Sequence, residues 1–161
     1  MDSAFTFLIF FILFLFSIPA IIFLIAYLAA QSRKKKQKAL LESVGSPEFY
    51  AFVRYNKGNT QDEFFKLRAF QGSGIIYVEN QTIVFKDTLH QHPRTFQLYE
   101  CSIKWEDVNL VNGLLKWFSV SDASEKYFFN IDSGMFIFNL NSSKPTTKSV
   151  FDKLIQYQTE L

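Results

Sequence analysis

The hydrophobic positions of this chain follow three successive patterns. Residues 4–30 form 27 consecutive positions without a charge, seven of them Phe. As an α-helix such a stretch is about 40 Å long at about 1.5 Å per residue, against a hydrocarbon core of about 30 Å, so it is expected to cross a membrane once. From Gly72 onward, short runs of β-branched and aromatic residues alternate with turn residues at intervals of about ten, which predicts an antiparallel meander. Strands are expected over residues 74–78 and 82–86, joined through Glu79-Asn80-Gln81, and then over 96–103, 114–121, 126–131 and 135–140. The intervening turns fall at His92-Pro93, Asn112-Gly113, Ser121-Asp122-Ala123-Ser124 and Asp132-Ser133-Gly134. At the C-terminus, Val150, Phe151, Leu154, Ile155 and Tyr157 lie at helical spacing behind the polar run 146–149, which predicts an amphipathic helix.

Between these regions the pattern is ambiguous. Ser46-Pro47-Glu48 reads as an N-cap, a proline at the first helical position and an acid in the first turn. A short helix over 47–57 would bury Phe49, Phe52 and Val53 and stop at Gly58. Thr60 and Glu63 have capping-box spacing, which favours a second helix, whereas Phe65, Leu67 and Ala69 share one face of an extended segment. The strand reading of 64–70 fits the meander that follows.

Charge adds direction to the span. Arg33, Lys34, Lys35, Lys36 and Lys38 follow it and no basic residue precedes it, so the N-terminus is expected outside the cell membrane and the remainder in the cytoplasm. A cleaved signal peptide fits poorly: Met1-Asp2-Ser3 lacks a positive n-region, the apolar run is too long, and Tyr27 or Leu28 stands where a small residue is required. Inside the span, Pro19 should free the carbonyl of Leu15 and bend the helix, and the run contains no ionisable group from which to build a transport pathway. The small residues Ala26 and Ala30 have the spacing that lets a second helix approach. The formal net charge of +2 comes from the basic collar, since residues 41–161 hold 12 basic and 14 acidic groups. The basic balance is therefore no argument for nucleic acid. One cysteine, Cys101, builds no disulfide framework and agrees with a reducing compartment. The expected layout is a transmembrane anchor (1–31), a basic juxtamembrane linker (32–45) and a cytoplasmic domain (46–161), α+β in class, with a small antiparallel barrel or sheet closed by the C-terminal helix.

The order of these elements resembles the pleckstrin-homology superfold, particularly its GRAM-like and bacterial PH-like members. The residues that carry the likeness are the glycine-started hairpin from Gly74-Ile75-Ile76-Tyr77-Val78 to Ile83-Val84-Phe85 and the segment Ile103-Lys104-Trp105-Glu106-Asp107-Val108, followed by two aromatic-rich strands and a closing helix. The resemblance covers about residues 64–161 and includes no catalytic motif. It implies an open barrel plugged at one end, and the phosphoinositide-binding members imply a cluster of cations near the first hairpin. Lys57, Lys66 and Arg68 loosely fit such a cluster, with Asp62 and Glu63 between them opposing it.

Other chemistry is sparse. His90 and His92 could place two imidazoles on one side of an extended segment, but two ligands do not make a metal site and no third is indicated nearby. Cys101 lies in no nucleophile motif, and Gln71-Gly72-Ser73-Gly74 is too poor in glycine for a phosphate-cradling loop. Trp117-Phe118 and Tyr127-Phe128-Phe129 lack the interleaved basic residues that nucleic-acid stacking requires and read as core. No catalytic, cofactor or metal residue, and no small-molecule substrate, is indicated. The expectation is a non-enzymatic single-pass membrane protein, touching the bilayer and a protein partner as an accessory or scaffold subunit. A lipid-headgroup sensor is the alternative, and a membrane-anchored immunity or defence protein a further one.

Overall fold

A computed structural model describes residues 3–58, 70–89, 92–106, 115–131 and 145–161. The chain forms two compact units, Met1–Lys35 and Lys36–Leu161.

The first unit is helical. Helix α1 (Ser3–Val44) continues through Pro19, and Ser17 Oγ donates to Phe14 O at 2.9 Å within the same stretch. Large apolar side chains from Phe10 to Leu28 are exposed around it. The helix is long and apolar enough to cross a membrane.

The second unit begins with the last turns of α1. Gln37, Leu40, Leu41 and Val44 recur at helical spacing as its buried or half-buried positions. Leu40 and Val44 pack with Phe52, Ile75, Tyr77 and Val84. The helix stops at Gly45, whose φ of +89° is the left-handed conformation that glycine adopts without a Cβ penalty, and Gly45 N–H donates to Leu41 O at 3.2 Å.

Seven described strands follow: β1 (Phe49–Lys57), β2 (Gly72–Glu79), β3 (Thr82–Asp87), β4 (Arg94–Gln97), β5 (Ser102–Glu106), β6 (Trp117–Ser121) and β7 (Lys126–Ile131). They form one curled antiparallel sheet in the order β4-β3-β2-β1-β7-β6-β5. Its concave face carries the main core, with Val53, Tyr55, Ile76, Phe85, Phe118 and Phe129 among its members. Helix α2 (Thr147–Thr159) closes one end of the half-barrel, burying Val150 and Leu154. At that end Tyr157 meets Phe49, the first residue of β1, and Thr147 Oγ1 accepts from the N–H of Ile131, the last residue of β7, at 3.3 Å. Thr146 caps α2 through a reciprocal capping box with Ser149. Gln158 Nε2 donates to Leu98 O at 2.7 Å and Cys101 O at 2.9 Å, tying the helix to the turn between β4 and β5.

The hairpin expected around Glu79-Asn80-Gln81 is present, with Glu79 opposite Thr82. Two sequence expectations are corrected. The segment expected as a helix over 47–57 is strand β1, because Ala51, Val53 and Tyr55 face the core while pairing with β2 and β7 occupies both edges. Long-range pairing and β-rich side chains override the capping pattern at Ser46-Pro47. The strand expected over 96–103 is interrupted, since Gln97 O accepts from the N–H groups of both Glu100 and Cys101 and turns the chain between β4 and β5. The expected strands over 64–70 and 135–140, and the turns at Asn112-Gly113 and Asp132-Ser133-Gly134, lie wholly or largely outside the described residues.

Candidate binding pocket at the barrel mouth

At the end away from α2 the antiparallel order gathers the last residues of β1 and β3 and the first residues of β2, β4 and β7. An open cavity of about 440 Å³ lies among them. Its floor is aromatic. Tyr55 from β1, Phe85 from β3 and Tyr127 from β7 are all buried, with the Tyr55 and Phe85 centroids 4.8 Å apart and Phe85 and Tyr127 5.5 Å apart. These positions alternate inward along their strands, so the period of two that builds the core also builds the floor.

One wall is Asp87, the last residue of β3. Tyr55 Oη donates to Asp87 Oδ2 at 3.0 Å and Leu89 N–H donates to Asp87 Oδ1. Burial, reinforced by the Asp87 charge and this hydrogen bond, holds the Tyr55 hydroxyl well above its ordinary pKa. Tyr55 is therefore a fixed donor and makes no proton-transfer group near neutrality.

The rim carries Lys57 at the end of β1, Arg94 at the start of β4, His92, Gln71 and Leu89. Glu125, in the turn between β6 and β7, sits between the two cations: Lys57 Nζ donates to Glu125 Oε1, and Arg94 Nε is 3.5 Å from Glu125 Oε2. The hydrogen bond from Lys57 is the chief reason the Glu125 carboxyl lies below its ordinary range, and the same bond raises Lys57. Asp122 sets this turn. Its Oδ1 accepts from Ser124 N–H at 2.7 Å, Ser124 Oγ at 2.8 Å and Glu125 N–H at 2.8 Å, which holds the Asp122 carboxyl below its usual range. Gln71 fastens the other side of the mouth, accepting from Lys57 N–H at 2.7 Å while its own N–H meets Asn56 Oδ1 at 2.8 Å.

Of the residues singled out by sequence, Lys57 lies at this rim and His92 lines it, while Lys66, Arg68 and His90 lie outside the described residues. Arg33, Lys34, Lys35, Lys36 and Lys38 lie in α1. Cys101 is buried beyond β4, and among the described residues no group of three or more His, Cys, Asp or Glu side chains forms a metal set. The mouth residues that sequence reasoning missed are Tyr55, Asp87, Arg94 and Glu125. No local motif marks them, because strand register brings them together, with Lys57 and Glu125 separated by 68 positions. Comparison with known proteins finds no matching family model and no matching curated protein.

Proposed function

We propose that this is a non-enzymatic single-pass protein of the cell membrane, with its N-terminus outside, whose cytoplasmic PH-like domain is a protein-interaction module, an accessory or scaffold subunit of a membrane complex. The helix long and apolar enough to span, followed by the basic collar, supports the topology. The strand order of the half-barrel and its plugging helix support the PH-like reading. The observation that carries the choice of partner is the Lys57–Glu125–Arg94 cluster. Among the described residues, the two cations at the mouth, Lys57 and Arg94, already share an internal carboxylate above an apolar floor. Purification of the full chain in mild detergent is expected to recover a partner at fixed stoichiometry, and a chain that elutes alone from its native membrane overturns the reading.

The lipid-headgroup alternative has one observation in its favour, the convergence of Lys57 and Arg94 on a point that accepts an anion. It requires the full chain in detergent to bind inositol hexakisphosphate, with loss of binding in Arg94→Glu. The interaction reading expects no such binding.

A further inference from the structure

The mouth cavity and its lip show what kind of group would enter. Among the described residues, two cations, Lys57 and Arg94, stand beside two carboxylates, Asp87 and Glu125, so these charges balance and supply no cationic excess of the kind that concentrates a polyanion. The floor beneath them is made of ring faces and edges, which favour another aromatic ring in an edge-on or offset arrangement. Leu89 stands at the lip with 66% of its surface exposed, a large apolar side chain held in water beside an aromatic-floored cavity. An apolar pocket ringed by charged and polar groups is the arrangement in which a single anchor side chain supplies most of an interface's energy while the rim excludes water.

We propose that the barrel mouth binds an aromatic side chain presented by a segment of the protein partner, with Tyr55, Phe85 and Tyr127 as its floor and Leu89 closing over it. This rests on the interaction-module reading and deepens it by naming the anchor. Glu125 acts as a specificity residue. By occupying Lys57 and Arg94 it makes the mouth select an uncharged ring over a phosphate.

The test is an NMR titration of the full chain in nanodiscs with N-acetyltryptophanamide as the ring probe and inositol hexakisphosphate as the polyanion. The ring probe should shift the signals of Tyr55, Phe85, Leu89 and Tyr127 with millimolar half-saturation. Leu89→Trp, a substitution at an exposed loop position that fills the mouth from within, should weaken binding at least tenfold while leaving the other resonances in place. Glu125→Gln should leave the ring probe bound and give the polyanion measurable affinity. Absence of shifts at these residues, or shifts that Leu89→Trp does not reduce, overturns the anchor assignment alone, because partner recovery in detergent is decided separately. Binding of the polyanion to the unaltered chain at these same residues overturns both the anchor assignment and the interaction reading.

Discussion

Gln37 reaches from the helix into the sheet to Gly74: its Nε2 donates to Gly74 O at 3.1 Å and to Val53 O at 3.2 Å, with 1% of the residue exposed. Val53 and Gly74 are opposite partners in the β1–β2 register, so one amide satisfies a carbonyl on each strand. Gly74 itself admits no side chain, since a Cβ there would lie 2.3 Å from Lys86 O. The close approach at Gly74 is therefore to the backbone of β3, while Gln37 joins the helix end to β1 and β2 through its amide.

Replacing Gln37 by Ala or Leu should destabilise the domain by about 1–3 kcal/mol, because two buried carbonyls lose their donor. Urea denaturation of the full chain in detergent, followed through the near-ultraviolet signal of the domain's aromatic residues, measures this. Gln37 Oε1 is buried with no hydrogen-bond partner among the described residues, so an unchanged midpoint would mean that losing this unsatisfied acceptor offsets the two lost donations. Removing residues 36–44 altogether should be worse, since Ile75, Tyr77 and Val84 would lose the cover of Leu40 and Val44.

This joint marks where sequence reasoning stopped. The hairpin at Gly74 and the stripe of α2 were legible because both are local: alternation about a turn in one case, spacing near one helical turn in the other. The role of Gln37 was hidden under the charge of its neighbours, Lys36 and Lys38, although Gln37, Leu40, Leu41 and Val44 already lie on one helical face. Strand β1 reads as a helix from sequence because Ser46-Pro47-Glu48 carries a genuine local capping pattern, and only the pairing of both strand edges decides against it. The mouth is the extreme case. Lys57 was visible as a cation, but its partner Glu125 comes from the far hairpin, and no local pattern encodes that register.

The turn at the tip of the β2–β3 hairpin holds two residues in the left-handed region, Asn80 at φ 49° and Gln81 at φ 60°. Asn tolerates this conformation, whereas Gln gains no comparable local hydrogen bond and carries a Cβ cost of about 1–2 kcal/mol. Gln81→Gly should raise stability by about 0.5–1 kcal/mol after the greater freedom of glycine in the unfolded chain is allowed for. The Gln81 carbonyl that accepts from Leu98 N–H at 3.1 Å is retained by the substitution. A lower thermal midpoint for Gln81→Gly would show that the side chain contributes more than its backbone strain removes.

The carboxylates of the β6–β7 turn should titrate below ordinary Asp and Glu values, Asp122 because three donors converge on it and Glu125 chiefly because of Lys57. A depressed folded-state pKa stabilises above the unfolded value, near about 4, and that contribution disappears as pH falls through the folded value. The mouth should therefore loosen on acidification below about pH 4 and be unaffected between about pH 5 and pH 8 by these two groups. Lys57 runs the other way. Its raised pKa stabilises below the unfolded value, near about 10.4, and is lost as pH rises through the folded one. Carboxyl-carbon NMR shifts of Asp122 and Glu125 follow the acid limb directly, and midpoints at or above the model-peptide values would contradict the hydrogen bonding described.

Cys101 is buried between β4 and β5, with its thiol directed to Leu98 O at 3.9 Å, and burial pushes its pKa up to about 11. Since the thiolate is the reacting species, alkylation at pH 8 should be at least about 100-fold slower in the folded chain than in denaturant, where the thiol returns to about 8.5. Iodoacetamide labelling followed by intact mass measures both rates. Burial is the main cause of the shift, and the carboxylate of Asp122 adds to it in the same direction. Rapid labelling of the folded chain would show that the turn between β4 and β5 opens readily. That would also predict weak amide protection at Glu100 and Cys101, whose N–H groups are held by Gln97 O.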